Sequence, residues 1–376
     1  MKELINEGLL PKEDPVLKGV VPYSELDQAT QAVMDTSAFR RLFEVRHGGL
    51  VPAKAGYSRG IHSVMAALVA SRLWNDEMRF DRRDLEIAAI LHDVGHAAFS
   101  HSAEDSFKEI DHKDRGIEII LNDEELQKVF REHGVEPSLI AQLALEKPEW
   151  NPFSRKREEG VISVDHFANA FGDLQFRTKR NFSPEFVRLL LDNAYIHENG
   201  RLSYSAEDVK LARALTRINI AQNVEAVFSL KGVLVDALTI NLFREMNRRG
   251  ILEISDFLNG EKALLDRMRG ESLPEEMRGI VTMLERTIVD LDEEDLSQIV
   301  RKVSDHANGG MGKVRFDRPE HAVPRKGLYL LAPAIDGVPG QEVDSEIAEM
   351  MEAAKRRLSG VYTIDLEDVF RANRDS

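Results

Sequence analysis

The sequence predicts a mainly α-helical protein, a helical bundle with a small C-terminal α/β region. Apolar residues recur at helical spacing through most of the first three quarters of the chain. Around residues 304–326, Gly, Pro and charged residues replace that periodicity, and short apolar, strand-like runs lie beyond it. We therefore expect a helical domain over residues 1–270 and a helical then α/β appendage over residues 271–376.

The predicted helices follow the apolar period and its boundary signals. Asp81 precedes "RRDLEIAAILHD" and Gly95 follows it, while Ser183 and Pro184 open "EFVRLLLDNAY". The segments with helical spacing are 60–75, 84–92, 115–131, 184–193, 206–220, 224–248 and 280–302.

The C-terminal region mixes both periods. "GLYLLAPAID" and "GVYTIDL" read as short strands on either side of an amphipathic helix, "SEIAEMMEAAKRRL". The glycine-rich run at 309–313 lacks the spacing and the following Ser or Thr of a phosphate loop, so we expect a flexible loop there.

Composition excludes several classes of function. Lys and Arg total 50 against 65 Asp and Glu, a formal charge of −15, which argues against broad binding of duplex nucleic acid. There is no cysteine, so disulfides and thiolate metal sites are excluded. The N-terminus lacks a signal-peptide core and no run approaches the roughly 20 apolar residues of a membrane span. We expect a cytoplasmic protein without a membrane partner.

The stretch "AAILHDVGHAAFSHSAE" predicts a metal site. His92 lies on the apolar face of a predicted helix, and a buried Asp93 at the C-terminal end of that helix is costly unless it meets a cation. A divalent ion satisfies both side chains, since imidazole and carboxylate are ligands that need no thiol. His62, which opens an apolar helix, and Asp165, which follows a short apolar run, are candidates for the remaining ligands.

These motifs carry a resemblance to a known family. "SRGIHSVMAA" and "LHDVGHAAFSHSAE", with the aspartate of "EGVISVDHFANAFGD", resemble the HD-domain phosphohydrolase superfamily. More narrowly they are similar to the deoxynucleoside triphosphate triphosphohydrolases, which include bacterial dGTPases and the human dNTPase of the SAM-and-HD type. The similarity is good over residues 14–173 and weaker over 183–270.

The resemblance implies a role for each matching side chain. The positions that match metal ligands are His62, His92, Asp93 and Asp165. The positions that match phosphate-contacting or catalytic groups are Arg59, His96, His101, Glu104, His112 and Lys231. Arg59 suits phosphate because its guanidinium is a fork of donors. His101, oriented by Glu104, could transfer a proton to or from the reacting oxygens.

The chain departs from the family pattern around the sugar. Asn169 stands where the family has a tyrosine that packs on deoxyribose, although Asp173 matches an acidic residue found there. Phe228 and Leu230 replace a later tyrosine and histidine, and Lys113 replaces a glutamate after His112. The metal chemistry is unaffected, but selectivity for deoxynucleotides is weakened, because a site cannot discriminate by hydrogen bonds that it does not make.

The sequence leaves three functions open. The first is a metal-dependent hydrolase that cleaves a dNTP to deoxynucleoside and triphosphate. The second is a phosphatase or phosphodiesterase acting on small nucleotides or single-stranded nucleic acid; two basic runs, "FSRKREEG" and "FRTKRNF", fit a phosphate or nucleotide contact as well as a solvated loop. The third is a nucleotide-sensing module with a structural metal. We expect one Mn, Fe, Ni, Co or Zn ion, Mg at an adjoining phosphate, and a homo-oligomer.

Overall fold

The fold is mainly α, as predicted. The computed structural model describes residues 1–12, 20–47, 57–146, 160–178, 180–227, 229–258, 260–268, 273–282, 284, 300–304, 313–316, 323–324, 330–358 and 361–364. Phe228, residues 153–159 of the first basic run, residue 179 of the second and residues 309–312 of the glycine-rich run lie outside these residues.

The helices, in chain order, are α1 (Lys2–Asn6), α2 (Gln28–Met34), α3 (Ser37–Arg40), α4 (Arg59–Leu73), α5 (Arg82–Leu91), α6 (His101–Ser106), α7 (His112–Asn122), α8 (Glu124–His133), α9 (Pro137–Ala141), α10 (Val164–Arg177), α11 (Pro184–Asp192), α12 (Val209–Ala221), α13 (Leu230–Arg248), α14 (Glu261–Met268), α15 (Glu275–Thr282), α16 (Gly340–Val343) and α17 (Ser345–Leu358). Short 3₁₀ or π turns lie at Tyr23–Glu25, Arg41–Glu44, Gln142–Glu146, Ala206–Asp208, Gln222–Val227 and Ile254–Leu258.

The described strands form two small sheets. They are β1 (Tyr195–Ile196), β2 (Leu202–Tyr204), β3 (Val300–Ser304), β4 (Lys313–Phe316), β5 (Val323–Pro324), β6 (Ala334–Ile335), β7 (Val338–Pro339) and β8 (Val361–Ile364). One sheet has the order β1-β2-β6-β7 and the other the order β3-β8-β4-β5. The small C-terminal α/β region is therefore present.

Serine side chains fix where several of the helices begin. Ser58 before α4, Ser163 before α10 and Ser183 before α11 each accept a hydrogen bond from the backbone N–H three residues further on. This satisfies a donor that the first helical turn leaves without a partner. The caps place the first turns of α4 and α10, which carry His62 and Asp165, at defined positions.

Two helix predictions were wrong in part. The predicted helix over 115–131 is two helices, because Asp123 ends α7 and its side chain accepts from the Leu126 backbone N–H at 2.9 Å to begin α8. Of the predicted helix over 280–302, α15 contains the part up to Thr282, residues 285–299 lie outside the described residues, and residues 300–304 form β3, paired with β8. A strand partner so distant in sequence is invisible to local periodicity.

The described residues enclose two main apolar cores. The first core joins α2, α4, α5, α10, α11 and α12 and reaches Leu331, Ile335 and Ile347 near the C-terminus. The second core is formed by buried residues of 97–110 and 233–284, with Phe99 packed on Phe243. The candidate site lies where segments belonging to both cores meet.

Part of the predicted C-terminal appendage packs on the helical body. β6 pairs in parallel with β2, and Ala332 bridges Val161. In addition, Arg213 on α12 forms an ion pair with Asp344 at 2.7 Å. The boundary at residue 270 stays a prediction, but residues 330–358 share a sheet and a core with residues before it.

Among the described residues, no single helix has both the length and the apolar composition needed to cross a membrane. Residues 206–227 and 231–248 meet that test only as a pair bent by 52°.

Candidate metal centre and its histidine cluster

Three predicted ligands converge at the meeting point of α4, α5 and α10. His62 lies on α4, His92 directly follows α5, and Asp165 is the second residue of α10; all three are buried. The His62 Nε2 atom lies 3.2 Å from His92 Nε2 and 3.1 Å from Asp165 Oδ1, and the last two atoms are 3.4 Å apart. Such spacing lets one ion contact all three side chains.

The tautomer of His92 supports a cation at this point. Its Nδ1 atom lies 2.7 Å from the carbonyl oxygen of Ala89, so Nδ1 carries the hydrogen and donates it. The Nε2 atom of the neutral ring is then an acceptor, and it faces Asp165 Oδ1 and the ring of His62. Acceptor atoms this close repel one another unless a cation, either a proton or a metal ion, lies between them.

Asp93, the fourth predicted ligand, lies at the edge of this trio. Its Oδ1 atom is 3.5 Å from His92 Nε2 and its Oδ2 atom is 3.9 Å from His62 Nε2. The same Oδ2 atom pairs with the Arg59 guanidinium at 2.6 Å. The structure thus brings all four predicted ligands together, with Asp93 shared between the trio and an arginine.

The charges at the centre suit a divalent ion. Burial opposes ionisation of Asp93, but Arg59 and His92 hold the pKa of Asp93 well below its usual value. Burial likewise opposes ionisation of Asp165, but the adjacent imidazoles of His62 and His92 hold the pKa of Asp165 well below its usual value. Two carboxylates and two imidazoles in a buried site are a donor set that fits Mn, Fe, Ni, Co or Zn. The residues present therefore fit the expected metal.

A second cluster is built around the carboxylate of Glu104. His101 Nδ1 lies 2.8 Å from Glu104 Oε2, and His112 Nδ1 lies 2.7 Å from Oε1. His96 Nδ1 lies 3.4 Å from the same Oε1 atom, and its ring stacks on His112 with centroids 4.2 Å apart. By distance alone these four side chains also could hold an ion. Three imidazoles around one carboxylate already form a charge-assisted network without one.

The same hydrogen bonds set the protonation of this cluster. Burial opposes ionisation of Glu104. Hydrogen bonds from His101, His112 and His96 nevertheless hold the pKa of Glu104 well below its usual range, so Glu104 is ionised. Burial and the nearby His96 lower the pKa of His112 to about 4, against the pull of Glu104. His112 is therefore neutral at pH 7.

Exposure separates the two histidines that follow Gly95. The His101 side chain is 29% exposed, whereas that of His96 is 0% exposed. The sequence predicted that both could face a substrate. For His96 this prediction was wrong, because its ring is buried between Asp93 and Glu104. Its Nε2 atom is 3.3 Å from Asp93 Oδ1. His96 thus joins the metal centre to the Glu104 cluster, and His101 is positioned for contact with a ligand.

Arg59 is held at the metal centre by a turn that the sequence did not reveal. Its Nε atom donates to Ser100 Oγ at 3.0 Å while the guanidinium contacts Asp93. Phe99 and Ser100 have φ values of 61° and 51°, a region that side chains other than glycine rarely adopt. Consecutive residues of this kind persist only where their surroundings hold them, and they occur frequently at functional sites.

Arginines also support the loop that carries His96. Arg41 donates to the carbonyl oxygens of Val94 and His96, the latter at 2.7 Å, and Arg115 lies 3.4 Å from the Gly95 carbonyl oxygen. Burial and the neighbouring Arg115 lower the pKa of Arg41 to about 9. These contacts give partners to backbone carbonyl groups of the loop that follows α5.

The predicted sugar-side residues have protein partners. Asn169 Nδ2 donates to Asp165 Oδ1 at 2.8 Å, so this amide orients a metal ligand. Asp173 lies 3.0 Å from Arg177 Nε and accepts from Gln222 at 2.8 Å. The i, i+4 spacing of Asp173 and Arg177 on one helix was a signal that the sequence reading missed.

Three further residues bear on the site: His47, Lys231 and Leu230. His47 packs its ring against that of His62 with centroids 4.5 Å apart, a neighbour not foreseen from sequence. Lys231 lies half-buried in the first turn of α13, and its phosphate contact stays a prediction. The side chain of Leu230 lies outside the described part of the chain.

Comparison with known proteins agrees with this geometry. Residues 59–167 match the model of the HD domain. That stretch begins at Arg59 and ends two residues after Asp165, so it contains all four predicted ligands. The chain therefore contains an HD domain, which indicates the superfamily of metal-dependent hydrolases.

The curated relatives are similar over limited stretches. An uncharacterized protein of Mycoplasma pneumoniae is 24% identical over 155 residues, which cover 37% of this chain and 36% of that protein. The uncharacterized protein YwfO of Bacillus subtilis is 34% identical over 115 residues, 28% of this chain and 26% of that protein. An uncharacterized protein of Methanocaldococcus jannaschii is 32% identical over 82 residues, 21% and 18% of the two chains. The chain thus spans 36% or less of the length of each of these relatives.

Proposed function

We propose that this HD-domain chain is a metal-dependent phosphohydrolase acting on nucleotides, and most specifically that it cleaves a dNTP to deoxynucleoside and triphosphate. The observation that carries the proposal is the convergence of His62, His92 and Asp165, with acceptor atoms 3.1 to 3.4 Å apart in a buried site. A divalent ion bound by these three atoms would stabilise that arrangement in a buried site.

The metal would be held by His62, His92 and Asp165, with Asp93 as the fourth ligand. When bound, a divalent ion supplies Lewis acidity, which lowers the pKa of a water molecule and offsets charge on a phosphoryl group. Asn169 fixes the orientation of the Asp165 carboxylate through its 2.8 Å hydrogen bond.

The surrounding side chains would bind phosphate and handle the proton. Arg59 places a guanidinium beside Asp93, so an anion that Arg59 binds lies next to the metal ligands. His101 donates from Nδ1 to ionised Glu104, and its Nε2 atom would give or take a proton at the reacting oxygens. Glu104 stabilises the imidazolium that forms when His101 takes up that proton.

Selectivity for deoxyribose has less support. Asn169 is bonded to Asp165 and Asp173 is paired with Arg177, so both groups already have partners within the protein. A site without a dedicated sugar contact discriminates weakly. We propose that kcat/KM for a dNTP and the matching NTP differs by less than about tenfold.

The experiment that tests the function is product analysis. The metal-loaded protein is incubated with dNTPs, NTPs, simple phosphate esters and short single strands, and the products are separated. Release of intact triphosphate supports the proposal. Orthophosphate or shortened strands would instead identify a phosphatase or a nuclease, and no turnover with a filled metal site would identify a sensing module. The mass of the same preparation in solution tests the proposed homo-oligomer.

A further inference from the structure

The buried side chain of Glu261 holds two separate segments together. Glu261 is the first residue of α14 in the second core and is only 2% exposed. Its Oε2 atom accepts from the backbone N–H of Arg46 at 3.0 Å and of Phe99 at 3.4 Å, and its Oε1 atom pairs with Arg46 Nε at 2.9 Å. A buried carboxylate is costly without such donors, so the three contacts are structurally specific.

Both of these segments also hold Arg59. The Arg59 backbone N–H donates to the carbonyl oxygen of Val45 at 2.8 Å, next to Arg46. The Arg59 Nε atom donates to Ser100 Oγ, and Ser100 Oγ donates to the Arg46 carbonyl oxygen at 2.8 Å. Hydrogen bonds therefore run without a break from Glu261 to the guanidinium that contacts Asp93.

The Phe99–Ser100 turn needs support from its neighbours. The contacts of Glu261 with Arg46 and Phe99, here called the clamp, supply part of that support. Phe99 and Ser100 both have positive φ, a strained conformation that is retained only when neighbouring contacts impose it. Glu261 holds the backbone of Phe99, and Ala98 donates its N–H to the carbonyl oxygen of Phe257 at 2.9 Å. The second core thus imposes the conformation of the turn that carries Ser100.

We propose that Glu261 is a positioning residue for Arg59: it fixes the guanidinium beside Asp93 and thereby sets the affinity of the site for the phosphates of the substrate. That Arg59 binds phosphate rests on the proposed function. That the clamp positions Arg59 rests only on contacts within the chain. Glu261 acts through Arg46 and Ser100 and makes no contact with the reacting atoms in this account.

The test compares three variants by calorimetric binding of inorganic tripolyphosphate to the Mn-loaded protein. Glu261→Ala removes all the contacts, so we expect the Kd to rise about tenfold. Glu261→Gln keeps an acceptor oxygen but loses the charge, so we expect about a threefold rise. Glu253→Gln makes the same chemical change at an exposed position before α14 and serves as the matched control, with no change expected.

An Arg59→Ala background shows whether Glu261 acts through Arg59. There, Glu261→Ala should change the Kd less than twofold, because the group that it positions has been removed. A full tenfold loss in that background would overturn the proposal, as would wild-type affinity in Glu261→Ala. If Glu261→Ala does not fold, Glu261→Gln carries the same comparison.

Amide hydrogen exchange separates this proposal from the proposed function. Glu261→Ala should speed exchange in peptides covering Arg46 and Phe99 and leave α8 unchanged. Unchanged exchange at both positions refutes the clamp, whatever the ligand. Faster exchange in a protein that binds no tripolyphosphate in any form would refute the proposed function and leave the clamp in place.

Discussion

At the scale of single residues, one carboxylate gathers three imidazoles. The family resemblance implied a contact between His101 and Glu104, and His101 Nδ1 lies 2.8 Å from Glu104 Oε2. His112 joins the same carboxylate from α7. Sequence spacing could not place His112 there, because the contact depends on how α7 packs against the loop after α5.

Glu104→Gln should lower kcat by about 10²-fold while the metal content stays the same. The amide keeps the size of the side chain but no longer stabilises a protonated His101. Steady-state kinetics with metal analysis checks this, and Glu109→Gln, an exposed position nearby, should behave as wild type. A loss of metal in Glu104→Gln would instead mean that this cluster supports the ion.

His47 should make the metal-free protein less stable as the pH falls. Burial, with nearby Arg59 and His62, lowers the pKa of His47 to about 3. Between pH 6.5 and about 3 the unfolded chain therefore binds a proton that the folded chain does not, and stability is lost as pH falls. The free energy of unfolding should fall by about 1.4 kcal/mol per pH unit more in wild type than in His47→Gln between pH 6 and 4. Equal slopes in urea unfolding would contradict this assignment.

At the scale of elements, the loop between α5 and α6 brings the two functional clusters together. Gly95 was predicted as the end of a helix, and α5 ends four residues earlier, at Leu91. The structure gives a stronger reason for this glycine. A Cβ atom there would overlap the backbone carbonyl oxygen of His112 and lie 2.6 Å from the Gly116 nitrogen. The backbones of the loop and of α7 are in close contact. This tertiary contact cannot be predicted from the local sequence around Gly95.

Gly95→Ala should destabilise the protein by about 3 kcal/mol, because the backbone of α7 must move to admit the methyl group. Gly134→Ala is the comparison: Gly134 has a φ of +64° with open space around it, so only about 1 kcal/mol of backbone strain is expected. Chemical denaturation measures both. Similar losses in the two variants would show that α7 is not in close contact with the loop.

Two of the helices that carry the site, α4 and α5, were predictable to within two residues, whereas no range was predicted for α10, which carries Asp165. Their apolar faces bury in the first core, and α4, α5 and α11 follow the predicted segments closely. Local periodicity failed at Asp123, where one side chain divides a continuous amphipathic pattern into α7 and α8. It also failed at residues 300–304, whose strand pairs with β8 near the C-terminus. Capping and distant pairing, rather than the apolar period, decided those elements.

At the scale of the whole molecule, the first core crosses the predicted domain boundary. Leu331, Ala332, Ile335 and Ile347 are buried in the same cluster as residues of α4 and α10. The shift in composition near residue 304 suggested a separate appendage. A change in composition marks where the apolar periodicity stops. It does not show whether residues further along the chain pack into the core formed by the earlier helices.

Ile347→Ala should lower the stability of the whole described fold by about 2–4 kcal/mol, since Ile347 is fully buried in the first core. Val343→Ala, at a side chain 52% exposed and nearby in sequence, should change it by less than about 0.5 kcal/mol. Unfolding is followed by circular dichroism and by calorimetry. A separate early transition in Ile347→Ala would mean that the C-terminal region unfolds as an independent domain.

The metal centre is tested most directly by the metal content and hydrolytic activity of His92→Ala beside wild type. His133→Ala, at a histidine at the end of α8, is the control. We expect one divalent ion per chain and nucleotide hydrolysis in wild type and in His133→Ala. In His92→Ala both should be lost, although the chain folds. If His92→Ala keeps its ion and its activity, the centre formed by His62, His92, Asp93 and Asp165 is not the active site.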